Sequence, residues 1–475
     1  MTTIVIELPE ELKSLAKPMQ ELVVEVERAR QGALSGSRAV QYADIEARFA
    51  RAAREIESAA HQVTLQALDI DEPQLEIDGK RYSRVVRTNG TFKAMSGEVA
   101  VVHSRYRRDG ERNGLTVDTI TLRTGTIGDG WLPATAAAMA HAVQQAPSRE
   151  AAAHAARTFR FPYSRSAFED VAHAVGAQVC ARRAEVEDEL IRRVEVPRHA
   201  RSVSVSLDRV TVPMEEPRPR PVGRPPRDAP AHPIARVYRM GYVGTVSLHD
   251  EHGDAIHTIR YGRMPDGDIE GMMRALEEDT RALLEKRPDL EVVLLADGAA
   301  EMWERLDSAI SESALGTRVT RILDFWHVTE KLAAALRVLD GNEHPLARWK
   351  LLLLNRADAV DEILAALRAS GKRDTRVGDA RPVHDAITYL ENHRDLMRYT
   401  TARRRHLPIG SGIAEATCKS LFNLRMKRPG SRWKTATGDH ILHLRALALS
   451  DRWDPAVHLS LAHLRKPVRR LPLAA

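Results

Sequence analysis

The hydrophobic pattern of residues 202–339 switches between two periods, and the order of the switches restricts the fold more than any other feature. Three segments of period two come first, in "ARSVSVSLDRVTVPM" and "RVYRMGYVGTVSLHDEHGDAIHTIRYGRM". Five segments follow, "DIEGMMRALEEDTRALLEKRP", "LEVVLLAD", "AAEMWERLDSAI", "RVTRILD" and "WHVTEKLAAALRVL". Period two indicates strands and period 3.6 indicates helices. The predicted order is therefore three strands, helix, strand, helix, strand, helix.

This order matches the ribonuclease H-like core, in which three strands precede alternating helices and strands. The chain then turns helical again, in "LARWKLLLLNRADAVDEILAALRAS" and "VHDAITYLENHRDLMRY". We therefore predict an α/β ribonuclease H-like catalytic domain in two parts, residues 199–340 and 407–475. A helical insertion at residues 341–406 separates the parts, and the second part holds the last core helix and a C-terminal tail.

The preceding residues have a different pattern and predict mixed helical and small β-rich N-terminal domains. Residues 1–72 are helical, residues 73–131 form a small β-rich domain with turns at Asn89-Gly90 and Asp109-Gly110, and residues 132–198 are helical again. The last region contains "SREAAAHAARTFRFPYSRSAFEDVAHAVG", with Ser148 and Ser164 or Ser166 as candidate N-caps. A DNA-binding helix-turn-helix and a pair of packed helices without special function both fit it.

Composition excludes several classes of protein. The 475 residues are 43% hydrophobic and 29% charged, as in an ordinary soluble globular protein of two to four domains. Only two cysteines are present, which excludes a disulfide framework and a four-cysteine zinc site. Neither a signal-peptide pattern nor an apolar run of about 18 residues occurs. We expect a cytoplasmic, nucleoid-associated bacterial protein without a membrane partner.

Positive charge is concentrated in one stretch. Residues 394–434 contain eleven Arg or Lys and two acids, whereas the whole chain has a net charge of only +6. Such clustering predicts a phosphate-binding surface, and a solvated helix face is the alternative. The candidate DNA-binding residues are Arg403, Arg404, Arg405, Lys419, Arg425, Lys427, Arg428 and Arg432. The Pro-rich "PMEEPRPRPVGRPPRDAPAHP" predicts a mobile basic loop.

Three acidic residues are candidate metal ligands. Asp208 lies in the first predicted strand, Asp297 ends the buried strand "VVLLADG", and Glu415 begins the last predicted helix. A charge at the end of a buried strand is costly unless it is paired or metal-bound. Two divalent ions about 3.5–4 Å apart can drive phosphodiester cleavage, and hard carboxylates are the ligands that hold Mg²⁺. The set predicts a site for two Mg²⁺ or Mn²⁺ ions.

Each acid also has a structural interpretation. Asp208 can be a strand-end turn residue, and Asp297 can cap the following helix. Glu415 fits a capping box poorly, because a Ser411 cap would place its partner at position 414, which is alanine. The occurrence of all three on one order of elements favours the metal site.

Four segments carry a resemblance to a known family. In "LLADGAAEMWERL", "RILDFWHVTEKLAAAL", "LPIGSGIAEATCKSLFNLRMKRPGSRW" and "ILHLRALALSDRWD" the chain resembles DDE transposases of bacterial insertion sequences. The similarity is to the ISKra-type family and, more distantly, to Mutator-like transposases. It covers roughly residues 200–455 and is weaker toward the N-terminus.

The resemblance implies that Asp208, Asp297 and Glu415 are the catalytic and metal-binding triad. It also implies that Asp324 and His327, in "DFWH", form the Asp-x-x-His signature that supports catalysis. In the alternative interpretation Asp324 is an N-cap and His327 is a first-turn residue without chemical duty.

The chain departs from the family pattern at one position. The first acid of the family is usually followed by Gly, whereas Asp208 is followed by Arg209. Asp228 and Asp250 therefore remain alternatives for the first acid. Trp326, Trp349 and Trp433 are either core residues or platforms for an unpaired base.

The predicted function is that of a DNA transposase. It would bind the terminal inverted repeats of an insertion sequence through its N-terminal region, cleave by metal-assisted hydrolysis, and join the 3′-OH ends to target DNA. A homodimer or higher oligomer is expected because two ends must be paired. No nucleotide triphosphate motif of the form GxxxxGK[ST] occurs. The alternatives are a catalytically inactive, domesticated DNA-binding regulator and a ribonuclease H-like nuclease without strand transfer.

Overall fold

The chain forms two compact units in a computed structural model that describes residues 7–34, 40–215, 237–339 and 344–471. The first unit comprises residues 1–181 and 457–475, and the second comprises residues 182–456. The Pro-rich loop predicted from the sequence falls almost entirely outside the described residues, and so does Asp228.

In chain order, the strands are β1 (Gln74–Ile77), β2 (Lys80–Ala94), β3 (Gly97–Arg108), β4 (Val117–Asp118), β5 (Ser202–Met214), β6 (Val237–His249), β7 (Ala255–Arg263), β8 (Glu291–Ala296), β9 (Val319–Leu323) and β10 (Arg469–Arg470). The α-helices are α1 (Ala16–Leu34), α2 (Tyr42–Leu68), α3 (Thr119–Thr124), α4 (Pro133–Gln145), α5 (Ser148–Arg157), α6 (Arg165–Ala181), α7 (Arg183–Arg193), α8 (Ile269–Lys286), α9 (Ala300–Ala309), α10 (Glu312–Leu315), α11 (Phe325–Leu339), α12 (His344–Asn355), α13 (Ala359–Ala369), α14 (Pro382–Asn392), α15 (Tyr399–Arg404), α16 (Gly412–Cys418), α17 (Leu424–Met426), α18 (Thr435–Leu449) and α19 (Trp453–Leu461). A π-helical turn, Lys419–Asn423, follows α16. Within the described ranges, none of these helices is both long and apolar enough to cross a lipid bilayer.

The first unit contains an antiparallel sheet in the order β10-β1-β2-β3-β4. Its local structure differs from the prediction at Asn89-Gly90, which lies inside the long strand β2 rather than in a turn. A Cβ atom on Gly90 would lie only 2.6 Å from His103 Nε2, so the glycine makes room for a ring across the ladder. Gly90 is therefore needed for close packing between two strands and not for a turn.

The segment "TVDTITLRT" in the predicted β-rich domain has the alternation typical of a strand but is mostly helical. Only Val117–Asp118 is extended, and α3 follows at once. The Asp118 side chain accepts a hydrogen bond from Thr121 N, which caps the helix. Ser164 likewise caps α6 by accepting from Ala167 N, whereas Ser148 is already the first residue of α5. A role of α5 and α6 in DNA binding stays a prediction.

The second unit has a mixed sheet in the order β7-β6-β5-β8-β9. Strands β5, β6 and β7 form an antiparallel meander, and β8 and β9 run parallel to β5. The elements succeed one another as the hydrophobic periods predict. Both faces of β5 are buried, and the small Ser202, Ser204 and Ser206 alternate with its apolar residues. Small side chains on the second face let other elements pack closely on both sides of the sheet.

Helix α7 belongs to the second unit, whereas the sequence groups residues 182–198 with the preceding helices. Its buried Ile191 is part of the core that lines the sheet. Lys286, at the end of α8, donates hydrogen bonds to the carbonyls of Ile191, Arg192 and Val194 at 3.0, 2.8 and 2.6 Å. The ammonium thus satisfies the carbonyls that the end of α7 leaves without helical partners.

Gly241 in β6 decides how closely the segment after α16 approaches the sheet. A Cβ atom there would lie 2.9 Å from Phe422 Cε1 and 2.9 Å from the Arg263 carbonyl oxygen. Phe422 belongs to the π-helical turn and is fully buried. The absence of a side chain at Gly241 therefore lets that turn dock on the strand.

We expect Gly241→Ala to destabilise the second unit by about 1–3 kcal/mol, because the added methyl overpacks the contact with Phe422. Urea unfolding followed by near-UV circular dichroism measures the change. Gly412→Ala is the matched control, since its Cβ would meet nothing within 4 Å. The packing argument fails if both variants lose the same stability.

Candidate functional site

Asp208 and Asp297 lie side by side at one end of the second sheet. Ser206 of β5 pairs with Leu295 of β8 in the parallel ladder. Asp208 lies two residues after Ser206, and Asp297 lies two residues after Leu295. Paired strands are about 4.8 Å apart, and residues two apart point to the same face. The register therefore brings two carboxylates together at the carboxyl end of β8, and both side chains are half-buried.

Hydrogen bonds hold both acids locally. Asp208 Oδ1 accepts from Arg209 N at 2.6 Å, and Asp297 Oδ1 accepts from Ala299 N at 3.0 Å. Helix α9 begins one residue later, so the Asp297 side chain closes a turn before the helix rather than capping its first turn. These hydrogen bonds fix the orientation of both carboxylates near the sheet edge.

Helix α16 brings the third acid to the same region. Glu415 is exposed and Cys418, three residues later, is buried. Residues three apart share a helix face. The Cys418 thiol donates to Asp208 Oδ2 at 3.2 Å, so the helix that carries Glu415 is linked directly to the first acid. Burial and the adjacent Asp208 carboxylate raise the pKa of Cys418, which keeps the thiol protonated as a donor.

Asp324 joins three elements through one buried carboxylate that is only 2% exposed. Its Oδ1 accepts from Trp326 N at 2.6 Å and His327 N at 2.9 Å, which caps α11. Its Oδ2 accepts from both the backbone N and the hydroxyl of Ser411, immediately before α16. Its own N–H donates to the Ala296 carbonyl at 2.9 Å, beside Asp297. Asp324 therefore caps α11, and the same carboxylate also holds Ser411. We call Asp324 and these hydrogen-bond partners the clamp.

The Asp324 carboxylate of the clamp also interacts with the imidazole of His327. His327 Nδ1 lies 3.5 Å from Asp324 Oδ1. The interaction with Asp324 raises the pKa of His327 to about 9, with Asp297 adding to the effect, so the imidazole is cationic at neutral pH. Burial opposes ionisation of Asp324, but hydrogen bonds from His327 and Ser411 together hold its pKa below the ordinary value. The pair is an ion pair at the sheet edge.

The donor atoms suit Mg²⁺ or Mn²⁺, but they do not surround one position. Among the described residues, no group of three or more His, Cys, Asp or Glu side chains is arranged to hold a metal ion. Both oxygens of Asp208 already accept hydrogen bonds. Binding by Asp208, Asp297 and Glu415 would require these side chains to turn, and exposed Glu415 has room to do so. Their role as metal ligands stays a prediction.

Asp250 is remote from this edge. It follows β6, whose last residue His249 pairs with Ser202 at the start of β5. Six residues separate Ser202 from Asp208, which is about 20 Å along a strand. Asp250 instead accepts from His252 N at 2.8 Å and Asp254 N at 3.0 Å within a turn. The geometry favours Asp208 as the partner of Asp297.

Arg209, the residue after Asp208, has a structural partner. It pairs with Tyr242 across β5 and β6, on the face opposite to Asp208. Its guanidinium donates to Glu301 Oε2 at 2.8 Å, and the Tyr242 hydroxyl donates to Glu301 Oε1 at 2.6 Å. Arg209 therefore links β5 to α9 on the face of the strand opposite to Asp208.

The predicted DNA-binding residues divide between two ends of the sheet. Arg405 forms an ion pair with Glu291, at the start of β8 and thus at the end remote from Asp297. Lys427 Nζ donates to Thr211 Oγ1 at 3.1 Å, three residues past Asp208. Arg405 and Lys427 therefore lie near opposite ends of the sheet, although both belong to one basic stretch of sequence.

The remaining basic candidates differ in exposure. Arg403, Arg404 and Lys419 are exposed, and Arg428 and Arg432 are half-buried. Arg403 also donates to Asn355 Oδ1 at 2.8 Å. Arg425 is 5% exposed, with its guanidinium carbon 5.1 Å from the centre of the Trp433 ring, so little of its side chain is presented to a phosphate.

Ser411 and Cys418 are site residues that the sequence analysis did not identify. Ser411 was considered only as a helix cap, and its contact with Asp324 spans 87 residues of sequence. Cys418 was considered only in the count of cysteines. The helical spacing of Glu415 and Cys418 could have shown that both lie on one face, but no local signal could have named Asp208 as the partner.

Comparisons with known proteins do not establish a family. No model of a known protein family matches the sequence, and no curated protein matches it. Among solved structures, a chain of a Drosophila P element transposase strand transfer complex is similar at 13% sequence identity and a TM-score of 0.25. That match covers 70% of this chain and 83% of the other. A likeness at this level carries no argument about function.

We expect Asp324→Asn to lower the pKa of His327 from about 9 toward the ordinary 6.5, because the ion pair is its main cause. Because the folded-state pKa of His327 is raised, its protonated ring stabilises the unit fully below about pH 6.5 as long as Asp324 stays ionised. That stabilisation is lost as the pH rises through 9. NMR titration of the imidazole measures the shift. Glu330→Gln is the control and should move the pKa less; an equal or larger shift would contradict the assignment.

We also expect the basic residues to separate by position. Lys427→Ala should reduce the slope of log K against log salt for duplex DNA by about 1, because one phosphate contact is lost. Arg405→Ala should leave that slope unchanged and lower the melting temperature instead, since it breaks the pair with Glu291. A titration of affinity against NaCl, with a melting curve for each variant, tests both. A salt slope that falls in Arg405→Ala would overturn the division.

Proposed function

We propose that the protein is a DNA transposase of the DDE type with a ribonuclease H-like catalytic core. One observation carries the proposal: the parallel register sets Asp208 beside Asp297, and the Cys418 thiol ties the Glu415 helix to Asp208. The three acids chosen from sequence motifs thus lie on elements that converge at one sheet edge. Convergence of carboxylates from separate elements favours chemistry over three unrelated turns.

The sheet order supports the same core. Three antiparallel strands followed by two strands parallel to the first, in the order β7-β6-β5-β8-β9, match the element order from which the ribonuclease H-like core is predicted. Helix α16 then packs on β5 and β6 after the helical segment α12–α15. The helical segment α12–α15 therefore separates the third acid from the first two in sequence, and α16 packs on the strand that carries the first.

Asp208, Asp297 and Glu415 would hold two Mg²⁺ or Mn²⁺ ions once their side chains turn inward. Such ions supply an activated water and charge stabilisation for the leaving oxygen. The residues around them have separate tasks. Asp324 and Ser411 fix the start of α16, and Cys418 orients the Asp208 carboxylate.

His327 would contact the DNA rather than the three candidate metal ligands. Its cationic ring is 39% exposed beside Asp297 and can donate a hydrogen bond to a phosphate oxygen. Lys427, which lies near the same end of the sheet, would contact the DNA backbone there. Cleavage would expose a 3′-OH, which then attacks a phosphodiester of target DNA, forming one P–O bond and breaking another. A homodimer or larger assembly on the terminal inverted repeats would pair the two ends.

A DNA-binding regulator is the second candidate. It is favoured by the hydrogen bonds that occupy both Asp208 oxygens and by the lack of a formed metal-ligand group among the described residues. In that function the clamp would still position α16 and the basic surfaces would still bind DNA. Asp208, Asp297 and Glu415 would then have structural roles alone.

We expect the wild-type protein to cleave and join DNA that carries the sequence flanking its own gene, in Mg²⁺ but not in EDTA. Glu415→Gln should lower both activities by at least about 100-fold while DNA affinity persists, because a ligand is lost without a change in fold. Gel analysis of nicked and joined products measures this. Glu285→Gln, an exposed acid at the end of α8, is the matched control.

The outcomes separate the candidates. Joining by wild type that is lost in Glu415→Gln supports the transposase. Metal-dependent cutting without joined products indicates the nuclease. Equal DNA binding by both proteins with no cutting by either indicates the regulator and contradicts the proposal.

A further inference from the structure

The three tryptophans of the second unit that the sequence raised as base platforms have different environments. Trp349 is 9% exposed and belongs to the hydrophobic core. Trp433 is half-buried, and its Nε1 donates to the Met426 carbonyl at 3.0 Å. Trp326 is 53% exposed. An indole exposed to that extent leaves an aromatic surface available to a ligand.

The exposed ring of Trp326 is held in one place. Its backbone N–H donates to Asp324, which fixes the first turn of α11. Phe325 packs edge-on against the indole, with ring centres 5.5 Å apart. On the other side lies Gly410, where a Cβ atom would be only 2.8 Å from Trp326 Cδ1 and 2.9 Å from Nε1. A side chain at position 410 would displace the ring, and glycine lets it stay.

The position of the ring relates it to the candidate acids. Asp324, two residues earlier, bonds through its N–H to the residue before Asp297. Gly410 immediately precedes Ser411, whose carbonyl accepts from Glu415 N at 3.0 Å. The indole therefore stands between the segments that carry the second and third acids.

A lysine ammonium lies close to the Trp326 ring. Lys350 Nζ, from α12, is 5.3 Å from the ring centre. A flat aromatic surface with an adjacent ammonium suits a ligand that is planar and carries phosphates. A protein partner would instead need a broader apolar patch around the aromatic anchor, whereas the Trp326 ring lies beside the charged Lys350.

We propose that Trp326 is a stacking platform for an unpaired nucleobase of a DNA strand that enters the candidate active site, with Lys350 contacting the adjoining phosphate. This inference rests on the proposed function, because it takes DNA as the ligand. It adds a specificity for DNA with a frayed or single-stranded end. Stacking on the indole face would hold a base out of the duplex next to the acids.

The test is a binding experiment in EDTA, in which cleavage does not interfere. Fluorescence anisotropy would compare two duplexes that share a five-nucleotide single-stranded tail, one with bases and one with abasic spacers in the tail. We expect the full-length wild type to bind the base-bearing tail about 5- to 100-fold more tightly, as one stacked base would give. Trp326→Ala should lose this preference, and Trp326→Tyr should keep most of it.

Two matched variants complete the design. Trp433→Phe should retain the preference, because its ring is half-buried by its own partners. Glu415→Gln should also retain it, so failure of catalysis and failure of stacking are distinguishable. Circular dichroism of each variant confirms that the fold persists.

Any of three results in the DNA-binding experiment would overturn the inference: no preference in the wild type, an undiminished preference in Trp326→Ala, or equal losses for blunt and tailed DNA. A change of sedimentation in Trp326→Ala without DNA would also overturn it, because the ring would then be a protein contact.

Discussion

The buried carboxylate of Asp324 is the interaction on which the arrangement of the candidate site depends. It receives hydrogen bonds from the start of α11 and from Ser411 before α16, while its own backbone is bonded to the end of β8. A buried carboxylate is tolerated only when donors satisfy it, and here they come from parts of the chain that are far apart in sequence. Loss of the charge would loosen each of these parts at once.

The two ends of the second sheet have separate characters. Asp208, Asp297 and the exposed Trp326 gather at the carboxyl end of β8, where loops and helix starts meet. Ligands of open α/β sheets bind at this kind of edge because several chain segments converge there without strands to cover them. The opposite end carries the Arg405–Glu291 pair, which ties α15 to the sheet and so uses a basic residue for structure.

Much of the second unit follows from local pattern. The change of hydrophobic period gave the element order, because strands and helices each impose their own spacing on apolar residues. In the first unit local pattern misled in two places. Gly90 served close packing against His103 in a long strand, and Asp118 capped a helix where alternation suggested a strand. The first error arose because a partner on the neighbouring strand required the glycine, and the second because a local helix cap outweighed the alternation.

What the sequence by itself determined is the order of strands and helices in the second unit, the identity of the acids that motifs single out, and the concentration of positive charge near the C-terminal end of that unit. Only the tertiary structure decided that Cys418 bonds Asp208, that Asp324 anchors the helix of Glu415, and that Trp326 alone of the three tryptophans considered leaves half of its ring in solvent. The reason is physical: secondary structure depends on spacing along the chain, whereas a hydrogen bond or an exposed ring depends on which distant segments fold against it.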